Sequence, residues 1–418
     1  MATRPATAAR FAALRSRNFT LLFTGLIVSN TGTWMQNVAG GWLVLQLTNS
    51  PLWLGLLGLS FALPMVVLPL FAGAVVDRVH RIRLLYVTQT LQMLTAFVLA
   101  GLTWLGLINV WQVLASEFMI GALLAFDNPA RQALIPDLID RRDLLNALSL
   151  NSATYNGAAL VGPALAGAML GPFGAGALFF VNGVSYLAVL IALLAMRDVH
   201  LPPKQAAVSL RESVGRGLAY ALRSRSVAGL LLLSAVASLF GRSYQVLLPI
   251  FGRDIWHGGP EAYGLLLSAA GAGALVGAFG LAAIREVKRR NAVMIASGLL
   301  FSVSLVIFAL SPSLELGLVL AFVAGVTSTV LGTMITTFLQ VDAPPELRGR
   351  VMSLYAITLI GLPSLGALGT GAIAQWLGGT AGAPRAVLLS AIPLALMVVG
   401  FAPFFLRRDR GEAANEPA

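Results

Sequence analysis

Two ionisable side chains lie deep inside long apolar stretches, where they could bind a proton or an opposite charge. Glu117 lies seven residues after Val110, and Arg242 lies nine residues before Phe251. At about 1.5 Å per helical residue, they are roughly 10 Å and 13 Å from the ends of their stretches. A lone charge at the centre of a bilayer costs about 2.5–3.5 kcal/mol, so pairing Glu117 with Arg242 would lower that cost. Protonation of Glu117 would then free Arg242. A static ion pair, or a Glu117 that reaches outward to water, is the alternative.

Other kinds of chemistry find no support in the residues. The chain has no cysteine, which excludes disulfides, thiolate metal sites and a cysteine nucleophile. Its three histidines, His80, His200 and His257, lie far apart in predicted loops. Neither a Walker loop nor an H-x-x-x-x-D box occurs. We therefore expect no enzyme, no ATP-driven pump, no metal site and no cofactor.

The elements that position Glu117 and Arg242 must be membrane helices. Hydrophobic residues make up 57% of the 418 residues and charged residues 11%, whereas soluble domains carry about 25% charged residues. Such a chain cannot cover its surface with polar groups, so most of that surface should face a lipid bilayer. Continuous apolar runs also exclude a barrel, whose strands would alternate.

Twelve apolar segments have roughly the length of a membrane-spanning helix. Their limits are 19–47, 53–76, 84–107, 110–135, 144–171, 174–196, 226–251, 262–284, 291–311, 315–340, 350–378 and 384–406. Apart from Arg242, Arg253 and Arg385, all Lys and Arg residues fall at the N-terminus, in or beside every second link, or in the C-terminal tail. The positive-inside rule then predicts a multi-pass protein of the cell membrane with both termini in the cytoplasm. This placement also accounts for the net charge of +11 without nucleic acid.

The second half of the sequence repeats features of the first. SPLWLGLLG at 50–58 aligns with GPEAYGLLL at 259–267. ALSLNSATYNGAALVGPALAG at 147–167 aligns with VMSLYAITLIGLPSLGALGTG at 351–371, and the glycines coincide. Two parallel halves with a site between them are a transporter architecture.

The predicted fold class is therefore an all-α membrane protein with twelve transmembrane helices in two pseudo-symmetric six-helix halves. The N-terminal half covers 1–196 and the C-terminal half 226–418. A cytoplasmic linker at 197–225 opens with a pair of prolines and continues as a basic amphipathic helix.

The link after the second span contains the most specific motif. GAVVDRVHRIR fits the pattern G-x-x-x-D-R-x-G-R-[RK] at Gly73, Asp77, Arg78 and Arg81. His80 stands where the pattern has its second glycine. With twelve spans and two halves, this motif makes the chain resemble the major facilitator superfamily over nearly its whole length.

A second motif lies in the fifth span. It fits G-P-x-x-G-G at Gly162, Pro163 and Gly167, and Gly157 precedes it. The family associates this motif with antiporters. The surrounding residues, from NPARQAL to GPALAG, resemble the efflux branch that contains enterobactin exporters and macrolide and multidrug efflux pumps.

The resemblance implies a cytoplasmic gate between the two halves. In the family, the acid of the first motif meets the N-terminus of span 11, a position of partial positive charge. It also clusters with Arg81 and with an acid at the cytoplasmic end of span 4, here Asp127. The gate residues predicted in this way are Gly73, Asp77, Arg78, Arg81, Asp127 and Arg131. An ordinary basic loop with a solvated acid is the alternative.

The resemblance further implies that spans 1, 4, 7 and 10 line a central path. Their polar residues recur at helical spacing, and polar side chains seldom face lipid. The predicted substrate and proton cavity comprises Asn30, Trp34, Asn37, Glu117, Arg242, Gln245, Thr333 and Thr336. The family's fourth-span motif R-x-x-x-G has Glu117 in the arginine position before Gly121. Hydrogen bonding between helices, without substrate contact, is the alternative.

These observations favour a secondary active exporter of a hydrophobic or amphiphilic molecule, such as a drug or a siderophore-like compound. The expected mechanism is proton antiport with alternating access, in a monomer. A facilitator or proton symporter that imports a small polar solute is the alternative. The expected partners are the small molecule, protons and the lipid bilayer, and not nucleic acid.

Overall fold

The regular structure of the chain is helical. The computed structural model describes residues 11–69, 72, 76, 79–197, 220, 223–284 and 289–414, and these ranges contain no strand. Three predicted gate residues, Gly73, Asp77 and Arg78, lie outside the described residues. Most of the predicted linker at 197–225 lies outside them as well.

The described helices are numbered in chain order. The first four are α1 (Arg17–Thr48), α2 (Pro51–Val67), α3 (Arg81–Trp104) and α4 (Val110–Leu134). The helix Leu144–Ala195 bends at Gly174, and its arms 144–173 and 175–195 are called α5 and α6. The others are α7 (Arg225–Ile255), α8 (Gly259–Ala283), α9 (Arg290–Leu310), α10 (Leu314–Asp342), α11 (Pro345–Trp376) and α12 (Ala383–Ala414). Short 3-10 turns cover Ala12–Arg15, Ile135–Leu138, Arg141–Asp143 and Gly379–Gly382.

Local sequence explains several helix boundaries. The α4 helix begins with a capping box, in which Asn109 Oδ1 accepts from the Gln112 amide at 3.1 Å and Gln112 Oε1 accepts from the Asn109 amide at 2.9 Å. The Oγ of Ser313 caps α10. Gly174 separates α5 from α6 with φ at +74°, a left-handed conformation that glycine adopts without steric cost.

Nine helical segments within the described residues are long and apolar enough to cross a membrane. The 55 residues of Arg141–Ala195 count once among them, although at about 1.5 Å per residue they extend roughly 80 Å, enough for two crossings. The α2 helix is a shorter apolar helix of 17 residues. Several predicted limits agree closely: the spans at 84–107, 110–135 and 291–311 match α3, α4 and α9 within three residues.

The chain forms two compact units. The first comprises Met1–Leu43 and Leu63–Ala207, and the second comprises Val44–Ala62 and Val208–Ala418. The second unit therefore holds the end of α1 and most of α2 together with α7 to α12. The predicted halves differ from these units in residues 44–62.

An apolar core holds α1, α3, α4 and α6 of the first unit together at one end. Phe19, Leu85, Leu134 and Val189 are buried in it, each at most 2% exposed. Between membrane helices such side chains stabilise the unit through close packing. Farther along the same helices some of the buried side chains are polar, and they must find hydrogen-bond partners inside the protein.

The middle of α7 departs from α-helical geometry. A regular α-helix over Arg225–Val236 passes into a π-helical turn at Ala237–Gly241 and a 3-10 turn at Arg242–Leu247. Helix α11 crosses here with Gly366 against the Leu239 carbonyl, where any Cβ would overlap the oxygen. Irregular turns inside a membrane helix occur where the backbone lines a cavity or is buried in protein.

Candidate functional site

Glu117 is buried in α4 where this helix passes α1. The residue is 7% exposed, and its Oε1 lies 3.7 Å from the position that a Cβ on Gly40 would take. The small Gly40 therefore leaves room for the carboxyl group. Within the described part of the first unit, no hydrogen bond or ion pair engages this carboxyl group. A buried carboxyl without a basic partner in its own unit is suited to take up and release a proton.

One face of α1 carries three predicted cavity residues, and two of them contact α5. Asn30 Nδ2 donates to Thr154 Oγ1 at 3.2 Å. The Trp34 ring lies against the Tyr155 ring with centroids 5.9 Å apart. Asn37 is exposed. Asn30 thus takes part in a helix–helix hydrogen bond, whereas Asn37 is accessible.

The glycines of the fifth-span motif have different environments. A Cβ on Gly162 would lie 2.5 Å from Trp34 Cβ, so this glycine permits the close approach of α5 to α1. Pro163 and Gly167 are buried beside it. A Cβ on Gly157 would meet nothing within 4 Å.

Arg81 begins α3 and binds the turn that follows α4. Its guanidinium donates to the Asp137 carboxylate and, at 3.1 Å, to the Ala133 carbonyl. Arg81 is 23% and Asp137 10% exposed at the side chain, so the pair is partly shielded from water. The sequence reasoning did not identify Asp137.

Asp127, which was predicted to join the Arg81 cluster, has other partners. It is fully buried, and its Oδ1 accepts hydrogen bonds from Thr88 Oγ1 and Gln89 Nε2, both at 2.8 Å. Its Oδ2 lies 3.4 Å from Arg131 Nη2, an ion pair at i,i+4. The structure therefore brings Asp127 and Arg131 together and gives Arg81 a separate acid.

Arg242 follows the π-helical turn of α7 and borders a small cavity of about 40 Å³ within the second unit. Ser234, Ser238, Ser328 and Tyr355 supply polar groups to its wall. The acids of this unit whose side chains the structure describes, Asp254, Glu261, Glu315, Asp342 and Glu346, lie at or near helix ends, and none of them lines this cavity. Gln245, also predicted for the cavity, is half-buried in the same 3-10 turn.

Thr333 and Thr336 differ in their surroundings. Thr336 Oγ1 donates to the Tyr355 hydroxyl at 2.9 Å, and that hydroxyl donates to the Gly332 carbonyl at 3.1 Å. Thr336 therefore joins α10 to α11. Thr333 is exposed, and its place in a cavity stays a prediction.

A polar cluster in the second unit joins the end of α7 to the link between α1 and α2. Arg253 donates to the Leu45 carbonyl at 3.2 Å and to the side-chain oxygen of Asn49. The neighbouring Asp254 holds the guanidinium at 2.7 Å. We call these residues, with the adjoining Ser50–Gln375 hydrogen bond of 2.7 Å, the Arg253 cluster.

Close backbone packing continues from the Arg253 cluster along α2 and α11. A Cβ on Gly55 would lie 2.7 Å from Leu368 Cα, and a Cβ on Gly371 would lie 2.5 Å from the Pro51 carbonyl oxygen. Small residues at such positions let two membrane helices approach each other. The sequence signal for this contact was the exceptional position of Arg253 in a link that otherwise lacks basic residues.

Sequence reasoning also missed three buried polar residues of α3, of which Thr88 and Gln89 donate to Asp127. Thr88, Gln89 and Gln92 are each at most 4% exposed. They stand in TQTLQ, at a spacing that places polar groups on one side of a helix. Polar residues inside an apolar run were therefore an available signal. Among the residues that the structure describes, no cluster of three His, Asp or Glu side chains could hold a metal ion.

Long apolar helices with a buried carboxyl group and an interrupted helix beside an arginine form a fold that solved structures of membrane transporters share. The crystal structure of a mutant of the nucleoside transporter NupG matches 93% of this chain and 99% of its own with a TM-score of 0.74 and 13% identity. A bacterial homologue of the iron transporter ferroportin, inward-facing, matches 93% of this chain and 98% of its own with a TM-score of 0.72 and 16% identity. At these identities the likeness concerns the fold.

The chain belongs to the major facilitator family described as transmembrane secretion effector, which matches residues 8–417. The multidrug efflux pump Tap of Mycolicibacterium fortuitum is 28% identical over 95% of this chain and 98% of its own length. The staphyloferrin A transporter of Staphylococcus aureus is 26% identical over 59% of this chain and 62% of its own. The enterobactin exporter EntS of Shigella boydii is 26% identical over 63% of this chain and 62% of its own length.

The resemblance to the efflux branch of the superfamily is thus confirmed. The chain is an integral protein of the plasma membrane, and its relatives are transporters rather than enzymes. The predicted all-helical membrane fold is confirmed, whereas the count of twelve spans in two halves stays a prediction.

Proposed function

We propose that this protein exports a hydrophobic or amphiphilic small molecule, of the drug or siderophore type, in exchange for protons. Its relatives supply the direction and the substrate class, because they include a multidrug efflux pump and an enterobactin exporter. The antiporter motif at Gly162, Pro163 and Gly167 agrees with exchange.

The observation that supports coupling to protons is the buried Glu117 carboxyl group. It lies in α4 beside α1, without a basic partner in the described part of its unit. When water reaches this carboxyl group from one side, it can take up a proton, and it can release that proton when water reaches it from the other side. In the proposed cycle the protonated and substrate-loaded forms alternate, so that a proton enters as a substrate molecule leaves.

Alternating access needs two halves and a gate on each side. In the proposed arrangement α1 to α12 are twelve spans, six in each of the halves 1–196 and 226–418, with both termini cytoplasmic. Closure of the outer side is assigned to the Arg253 cluster and to the packing of α2 on α11. Closure of the cytoplasmic side is assigned to Asp77 and Arg78 together with the Arg81–Asp137 pair.

The test is dye efflux in everted vesicles from a bacterial strain that lacks its own efflux pumps. Respiration acidifies the vesicle interior, so an antiporter should accumulate a lipophilic fluorescent dye inside until a protonophore collapses the gradient. Glu117→Gln keeps the shape of the side chain but cannot release a proton. We expect it to lower gradient-driven accumulation by roughly tenfold or more, which corresponds to about 1.4 kcal/mol.

Glu315→Gln is the matched control, since Glu315 lies in the first turn of α10 and is exposed. This variant should accumulate dye at the wild-type rate. Wild-type vesicles that accumulate none of a broad set of lipophilic compounds would contradict export. Uptake of a small polar solute by intact cells would favour the import alternative. A Glu117→Gln variant with wild-type accumulation and unchanged pH dependence would remove Glu117 from the coupling.

A further inference from the structure

We infer that buried polar side chains of the first unit form a proton path between Glu117 and the end of α4 at Arg131. This inference rests on the proposed proton antiport and adds the route by which the proton travels. We call the set the polar ladder, and its members are Gln36, Asn182, Thr33, Tyr186, Gln92, Gln89, Thr88 and Asp127. Except for the partly buried Thr33, each is at most 4% exposed.

The first rung lies next to Glu117. The Glu117 carboxyl group reaches α1 at Gly40, one helical turn from Gln36. Asn182 of α6 donates through Nδ2 to Gln36 Oε1 at 2.7 Å. Gln36, one turn from the contact of Glu117 with α1, is thereby tied to α6.

The second rung centres on the Tyr186 hydroxyl, one turn along α6 from Asn182. It donates to Gln92 Oε1 at 3.2 Å and lies 3.4 Å from Thr33 Oγ1. A hydroxyl both donates and accepts hydrogen bonds, so it can pass a proton along without a net change of its own.

The third rung ends at the buried acid. Gln89, one turn from Gln92 on α3, donates to Asp127 Oδ1 at 2.8 Å, and Thr88 does the same. Arg131 then lies 3.4 Å from Asp127 Oδ2. Arg131 is 16% exposed at its side chain, so the ladder ends where the protein begins to meet water.

Unpaired atoms within the ladder indicate where water binds. Gln92 Nε2, a donor, and Gln89 Oε1, an acceptor, are buried without a hydrogen-bond partner among the described residues. Because these two side chains lie one helical turn apart, a water molecule between them would satisfy both. Asp127 Oδ2 is likewise without a hydrogen-bond partner, beside the Arg131 ion pair. Waters at these points would join the second rung to Asp127.

The proton balance of the path is simple. Glu117 gives its proton to a neighbouring water, and the proton passes by exchange through water and the Tyr186 hydroxyl to the Asp127 carboxylate. Asp127 then passes the proton to water near Arg131, where the ladder ends and the protein begins to meet water. The amides of Gln36, Gln89 and Gln92 keep their protons and hold the chain in place.

Hydrogen bonds between membrane helices can also serve packing alone. The two roles differ in one measurable respect. A packing defect slows every transport mode, whereas a blocked proton path slows gradient-driven transport and spares substrate exchange. Exchange of substrate for substrate needs no net proton movement.

The test uses the purified full chain in proteoliposomes with a dye that the wild type transports. Tyr186→Phe removes the hydroxyl and keeps the ring, and Gln92→Leu removes the polar group. Both should lower pH-gradient-driven transport by roughly tenfold, together with the proton flux that a pH-sensitive dye reports, while dye-for-dye exchange stays within about twofold of wild type.

Thr370→Val is the matched control, because it removes another buried polar contact, the 3.1 Å bond to Ser390 in the second unit. It should leave both transport modes within about twofold of wild type. If gradient-driven transport is unchanged in Tyr186→Phe and Gln92→Leu, or falls in parallel with exchange, the polar ladder is not a proton path. Absence of gradient-driven transport in the wild type would instead contradict the proposed antiport.

Discussion

At the scale of single residues, Arg81 of the GAVVDRVHRIR motif and Arg131 of α4 form separate ion pairs rather than one cluster. Arg81 pairs with Asp137, and Arg131 pairs with Asp127. The family resemblance suggested a shared cluster of Arg81 with Asp127. The 3-10 turn after α4 brings Asp137 to Arg81, while Asp127 lies fully buried against α3. Each basic residue therefore stabilises a different connection of α4.

The Arg81–Asp137 pair leads to a prediction about stability. Asp137→Asn keeps the side-chain shape but leaves the partly buried Arg81 without its counter-charge, which should cost about 1–3 kcal/mol. We expect a lower midpoint of thermal unfolding for the protein in detergent and a reduced rate of dye efflux. Asp140→Asn is the control, because Asp140 is 67% exposed. Equal thermal midpoints for the two variants would show that the pair does not contribute to stability.

At the scale of helices, close approach at a few small residues decides which side chains of neighbouring helices meet. Gly162 lets α5 lie directly on Trp34 of α1, and this contact places the Trp34 and Tyr155 rings together. In the second unit, Gly366 of α11 meets the irregular turn of α7 that presents Arg242. Both contacts set which side chains remain accessible for a substrate.

The two glycines of the fifth-span motif provide a matched comparison of helix packing. Gly162→Ala should push α5 away from α1, because the new Cβ would lie 2.5 Å from Trp34 Cβ. Overpacking of this kind costs about 1–3 kcal/mol, and we expect both slower dye efflux and a lower thermal midpoint. Gly157→Ala meets nothing within 4 Å and should behave as wild type. Equal losses in the two variants would show that the motif does not act through helix packing.

At the scale of the whole molecule, the Arg253 cluster is the part that must open if transport proceeds by alternating access. It ties the link between α1 and α2 to α7 and α11 by side-chain hydrogen bonds. The glycine contacts at Gly55 and Gly371 continue it along α2. A contact of this kind can close the outer end of a path while the other end is open.

Cross-linking tests that opening in a chain that naturally lacks cysteine. Ser50→Cys combined with Gln375→Cys places two thiols where the native side chains hydrogen-bond at 2.7 Å. A short bifunctional thiol reagent that a reductant cleaves should stop dye efflux, and the reductant should restore it. The single variant Ser50→Cys, treated in the same way, should continue to transport. Full transport by the cross-linked protein would show that this contact stays closed throughout the cycle.

Much of the fold could be predicted from the sequence because lipid imposes a simple rule on it. Apolar runs of spanning length must form helices whose backbone groups are satisfied within the segment. The limits of α3, α4 and α9 follow directly from those runs. The stretch from NPARQAL to GPALAG likewise indicated the efflux branch, which the family match and the relatives confirm.

The partners of polar residues were less predictable. Periodicity placed Asn30, Trp34 and Asn37 on one face of α1, and Thr333 and Thr336 on α10. It did not show that Asn30 and Thr336 are engaged by neighbouring helices while Asn37 and Thr333 are exposed. A helix presents a polar face without specifying which neighbour covers it.

The sequence by itself determined that this chain is a helical membrane protein, because its composition and apolar runs permit few other folds. Its internal repeat and its motifs, through their resemblance to a known family, indicated a transporter. The sequence also placed Glu117 and Arg242 inside membrane helices, where an ionisable side chain indicates a functional site. The tertiary structure decided which groups meet: Asp127 with Thr88 and Gln89, Arg81 with Asp137, and Arg253 with the link before α2. These contacts depend on how each helix is rotated and how deeply it lies against its neighbours. Small residues far apart in the sequence determine that arrangement together, so a local sequence pattern does not predict it.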